Sequence, residues 1–124
     1  FFGIGAVTVN GAGHTFTNNH IGFKILKTGG VVSLYATQAD GATENVSSAL
    51  TTLVNDDILN LILKVNGTSS VDYYWRKNNG ELSSATRLTG NVPTSTARMI
   101  QFSVSNNATA FAFIITVASA SYEK

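Results

Sequence analysis

Apolar and polar residues alternate along most of this chain, and turn-forming residues interrupt the alternation about every 8–12 positions. An amphipathic helix needs apolar residues three and four apart. A period of two lays them on one face of a strand instead. Residues 4–9 are short and apolar and stop at Asn10-Gly11-Ala12-Gly13. Residues 20–27 place Ile21, Phe23 and Ile25 on one face, and His20, Gly22 and Lys24 on the other. Thr28-Gly29-Gly30 follows as a hairpin turn, because glycine takes positive φ at little steric cost. Residues 31–38 read as the partner strand, ended by the Asp-Gly turn chemistry of Asp40-Gly41.

Further on, residues 43–53 form a weakly alternating, hydroxyl-rich segment that suits an edge strand. The aliphatic run at 58–65 also suits a short helix capped by Asn55. Its eight residues and the Asn66-Gly67 stop favour a buried central strand, with Leu59, Leu61, Leu63 and Val65 inward. Residues 71–77, a turn at Lys77-Asn78-Asn79-Gly80, and a return over 81–88 form the next hairpin. Residues 99–105 and 111–117 add two more strands around Asn106-Asn107. Nine or ten short strands without a helical period predict an all-β, antiparallel two-sheet β-sandwich or jelly roll, in one domain over 1–124.

Composition limits what such a sandwich does. Of 124 residues, 15 are Thr, 12 Ser, 12 Asn and 11 Gly, while only 12% are charged, about half the usual share. Hydroxyls and amides therefore keep the surface wet, as suits a domain packed among copies of itself. Eight Lys and Arg against seven Asp and Glu leave a net charge of +1, without the basic footprint of a nucleic-acid binder. No Cys is present, so neither disulfides nor thiolate metal sites arise. No apolar run reaches the roughly 18 residues that a membrane helix needs. Phe1-Phe2-Gly3-Ile4 lacks an initiator Met and reads as the cut end of a longer polypeptide, a processed chain or an imposed boundary.

Catalytic and metal-binding patterns are missing. His14 and His20 lack neighbouring ligands, and Asp56-Asp57 reads as a turn before a strand more readily than as a weak Ca²⁺ site. Glycoside hydrolysis needs two carboxylates across a cleft, yet Asp72 is the sole acid within the aromatic strand. No G-x-S-x-G elbow or phosphate loop occurs. The chain is expected to be non-enzymatic, with no cofactor and no metal. Asn45, Asn66 and Asn107 head Asn-x-Ser/Thr sequons, which matter only on a secretory route.

Residues 70–93 carry the only Trp and two of the four Tyr. Alternation puts Val71, Tyr73 and Trp75 inward and Asp72, Tyr74 and Arg76 outward, where Asp72 and Arg76 are expected to pair. An exposed Tyr-Asp-Arg strip could grip a sugar through ring stacking and bidentate hydrogen bonds, although cross-strand packing explains it too. Tyr74, Arg76, the turn residues Asn78 and Asn79, and Arg87 are the candidate contact residues.

The order of these segments resembles a known family. I-G-F-K-I at 21–25, V-V-S-L-Y-A-T-Q-A-D-G at 31–41, the Leu-rich 59–65, V-D-Y-Y-W-R at 71–76 and N-V-P at 91–93 look like the concanavalin A-like jelly-roll domains of tailed-phage and other viral structural proteins. The hairpin departs from the family pattern by one extra turn residue at 78–82. The resemblance implies a two-sheet sandwich at a virion surface or in an extracellular setting. It also implies assembly as a homo-oligomer or with other virion proteins, and attachment to host glycans as the rival role. It implies neither nucleic-acid binding nor membrane insertion. The carboxylate and Asn metal cluster of legume lectins is not matched.

Overall fold

The computed structural model describes residues 1–5 and 18–93, and the backbone alone of 100–102. Nine strands appear among them, and no helix: β1 (Phe2–Gly5), β2 (His20–Thr28), β3 (Val31–Ala39), β4 (Glu44–Val46), β5 (Thr51–Leu53), β6 (Leu59–Asn66), β7 (Ser70–Lys77), β8 (Thr86–Thr89) and β9 (Ile100–Phe102). They form two antiparallel sheets in a sandwich-like arrangement. The larger runs β4-β3-β2-β1-β9 with β5 also on β3, and the smaller runs β6-β7-β8.

The turns explain the registers. Thr28 pairs with Val31 across a two-residue loop in which Gly29 (φ 58°) and Gly30 (φ 85°) are both left-handed. That is the type I′ geometry whose twist matches the flanking strands. β1 joins β2 through the Gly3–Gly22 pair, where the backbones approach so closely that a Cβ on Gly22 would run into the Phe2 carbonyl and Gly3 Cα.

The core lies between the sheets. Ile21, Phe23, Leu34 and Ala36 come from the larger sheet and Val71, Tyr73 and Leu88 from the smaller, with Val92 from the loop after β8. Phe23 and Tyr73 meet edge to face, with centroids 5.3 Å apart. Polar ties accompany the apolar ones. Buried Tyr73 directs its hydroxyl at the Thr37 carbonyl (3.0 Å) and Gln38 Oε1 (3.1 Å), and Gln38 Nε2 donates to the Gly90 carbonyl. Asn45 Nδ2 donates to the Thr89 carbonyl (2.9 Å) and Asn91 Nδ2 to the Thr43 carbonyl (3.2 Å). The loop after β8 is thereby fastened to the larger sheet.

Four sequence expectations need correction. The segment expected as one strand over 43–53 is two, β4 and β5, both on β3. Between them Ser47 Oγ accepts the Ala36 amide, and Leu50 N–H donates to the Leu34 carbonyl. A hydroxyl thus replaces a ladder carbonyl, and the segment bulges. The run at 59–66 is a strand but not a central one. Among the described residues β6 pairs only with β7; Leu59, Leu61 and Leu63 are half-buried, whereas Ile62 and Val65 are exposed. Aliphatic residues on its outer face gave it the look of a strand covered on both sides.

The return strand over 81–88 is only Thr86–Thr89. Asn78 (φ 51°) and Asn79 (φ 58°) make a type I′ turn closed by the Gly80 amide on the Lys77 carbonyl. The outgoing leg from Tyr73 to Lys77 takes five residues and the return from Gly80 to Thr86 seven. The two extra residues are absorbed where Ser83 Oγ accepts the Trp75 amide and Ser83 N–H donates to the Trp75 carbonyl. Finally, Asp72 pairs with Arg87 rather than Arg76, because Arg87 lies directly opposite it on β8. The expectations for residues 6–9, 103–105 and 111–117, and for His14 and Asn107, lie outside the described residues.

Candidate functional site

Alternation along β7 puts Asp72, Tyr74 and Arg76 on the face turned away from the core, which the burial of Val71 and Tyr73 establishes. Antiparallel register sets Lys64, Ile62 and Asn60 of β6 opposite these three, and Arg87 of β8 opposite Asp72. One outer face therefore gathers an aromatic ring, an aliphatic side chain and several cations. Ile62 is 49% exposed, Tyr74 is half-buried and Arg76 is exposed.

Arg87 grips Asp72 with two parallel bonds, Nε to Oδ1 at 2.6 Å and Nη2 to Oδ2 at 2.9 Å, and Asn66 Nδ2 adds a third at 2.8 Å. The Asp72 side chain is covered, whereas Arg87 itself is largely open to water. The Arg87 hydrogen bonds come first, and Asn66 second, in pulling the carboxyl from 3.8 down to about 2. The same pairing raises the guanidinium above its ordinary value. Arg87 thus commits two of its five N–H donors to an intramolecular partner.

Asn78 is engaged as well. Its Oδ1 accepts the Ile58 amide (2.8 Å), and its Nδ2 donates to Asp57 Oδ1 (2.5 Å). Asp57 in turn accepts the Val54 amide (2.9 Å) and faces Lys77 Nζ at 3.5 Å. That amide, then Asn78, holds its carboxyl below the usual range. Asp57 therefore clips the β5–β6 turn to the β7 tip, and among the described residues no group of three or more His, Asp or Glu gathers to hold a metal. Tyr74, Arg76 and the exposed Asn79 keep side chains open to a partner.

Two sequons fall within the described residues. Asn45 Nδ2 is bonded to the Thr89 carbonyl and Asn66 Nδ2 to Asp72. Both amide nitrogens thus serve the fold.

Sequence reasoning missed a second polar constellation. His20, Lys24, Thr37 and Glu44 meet on the far face of the larger sheet, where Lys24 Nζ donates to Glu44 Oε1 at 2.7 Å and each side chain is 4% exposed. His20 is fully buried. The only sequence signal was the co-facial placement of His20 and Lys24 on one strand; Glu44, twenty positions later, had no visible link to them.

Compared with family models, with curated proteins and with solved structures, the chain matches none of them.

Proposed function

We propose that this chain is a non-enzymatic structural module of a virion. It would be a tail-fibre, tailspike or capsid-decoration domain of concanavalin A-like jelly-roll type, acting by assembly at the virion surface. The order of segments from 21 to 93 supports the family. The outer face of β6-β7-β8 carries the functional reading. Ile62 and Tyr74 sit opposite each other there, flanked by Arg76 and the closed Asp72–Arg87 pair. An apolar and aromatic centre with a polar rim is the make-up of a protein–protein contact. Light scattering tests it: the wild type associates with itself or with a virion partner, and Ile62→Glu abolishes that association while the circular dichroism stays unchanged. A strictly monomeric wild type without a virion partner sinks the proposal.

A second reading, attachment to host glycans, rests on Tyr74 and Arg76 being two apart on one strand face, roughly 7 Å along it. A ring stacking on a sugar and a guanidinium reaching its hydroxyls or carboxylate fit that spacing. A glycan array separates the two readings. Binding that is lost in Tyr74→Ala and Arg76→Ala supports attachment; a flat wild-type profile removes it.

A further inference from the structure

Strand β6 is an edge of the smaller sheet among the described residues, and little blunts that edge. It pairs with β7 over all eight of its residues without a bulge, contains no Pro and has Lys64 as its single charge. The other edge strands, β4, β5, β8 and β9, span only three or four residues each.

The ladder fixes which backbone groups of β6 point outward. The Asn78 amide donates to the Ile58 carbonyl at 2.9 Å, and on the other side of β7 Ser83 engages both backbone groups of Trp75. Antiparallel ladders alternate bonded and non-bonded pairs. Asn60, Ile62 and Lys64 therefore bond to β7. The N–H and C=O groups of Leu59, Leu61, Leu63 and Val65 point away from it, and no hydrogen bond among the described residues reaches them. The side chains of Leu59, Leu61 and Leu63 pack on the core yet are only half-buried, and Val65 is exposed.

We propose that a second copy of this chain pairs along β6, antiparallel to it about a two-fold axis at Ile62, and joins the two smaller sheets into one. This rests on the assembly reading and names its seam. The strand is self-complementary in that register. Leu59 faces Val65 of the second copy and Leu61 faces its Leu63, each twice by symmetry, so every outward residue meets an outward residue. Each such pair exchanges two hydrogen bonds, and no outward group is left over. Sliding by two residues either way leaves outward groups without partners. On the outer face Ile62 meets the Ile62 of the second copy, which extends the apolar centre beside Tyr74 across the seam. Lys64 lies opposite Asn60, so the two ammonium groups are offset by roughly 14 Å along the strands instead of opposing each other. The half-buried leucines at the rim of each core cover one another.

Amide exchange followed by nuclear magnetic resonance on the full chain, with light scattering at the same concentrations, tests the seam. As concentration rises through association, the amides of Leu59, Leu61, Leu63 and Val65 are expected to slow roughly ten-fold, as a gained hydrogen bond implies. Those of Asn60, Ile62 and Lys64, already bonded to β7, change far less. Asn60→Lys sets like charges opposite each other twice in the dimer and is expected to weaken association roughly ten-fold, whereas Asn60→Gln keeps it. Association with the four outward amides still fast overturns the β6 seam and leaves assembly through another surface standing. Outward amides that are slow at every dilution overturn it too, because the edge is then covered within one chain. A chain that scatters as a monomer at every concentration removes the second copy, and the assembly reading then stands or falls on a virion partner. Equal association of wild type and Asn60→Lys overturns the register.

Discussion

Asp72 shows how one position decides the character of a surface. Its alternation put it outward on an aromatic strand, the setting of a ligand contact. In the fold it faces Arg87 across the β7–β8 ladder and spends both oxygens there and on Asn66. Because the folded carboxyl titrates at about 2, below the 3.8 of the unfolded chain, its contribution is present above about 4 and is lost as pH falls toward 2. Exposure of Arg87 keeps that contribution modest, since water and salt screen the pair. Urea denaturation at pH 5, 3 and 2 is expected to show an acid limb, shallower in Arg87→Ala. An identical limb in the variant would place the acid sensitivity elsewhere. His20 and Lys24 teach the reverse lesson. Alternation sets both on the face of β2 opposite Ile21 and Phe23, and both are buried, with Thr37 and Glu44 beside them from strands the alternation could not order.

At the scale of elements, turns were the most legible feature and strand ends the least. Gly29-Gly30, Asn66-Gly67 and Asn78-Asn79 all turn where the residues predicted, since few side chains tolerate positive φ. The extent of β8 was not legible, because the two extra residues before Thr86 leave no mark on alternation. Asn78 and Asn79 separate two roles within one turn. Asn79→Gly relieves a left-handed φ and removes no side-chain hydrogen bond found among the described residues, so the melting temperature should hold or rise. Asn78→Gly relieves the same strain but loses the bonds to the Ile58 amide and Asp57, so the melting temperature should fall. Calorimetry on the pair decides it, and a fall in both variants would mean that the clip to β6 is not what Asn78 supplies.

Across the whole molecule, Tyr73 is the tie between the layers. Its ring packs on Phe23 and its hydroxyl reaches Thr37 and Gln38 of the other sheet. Burial holds the phenol far above its ordinary value, so it remains a donor at any working pH. Tyr73→Phe keeps the ring and leaves buried acceptors without that donor, a loss of about 1–3 kcal/mol in chemical denaturation. A loss below a few tenths would show that the hydroxyl is not part of the tie. The sequence alone determined that this chain is built of strands and turns, and that Val71 and Tyr73 face a core. Both follow from local rules, the period of two and the few residues that accept positive φ. Only the tertiary structure decided which strands are neighbours, and hence that Arg87 meets Asp72, Glu44 meets Lys24 and His20 meets Thr37. Strand pairing brings together residues far apart in the chain, and register, which no local pattern encodes, selects each partner.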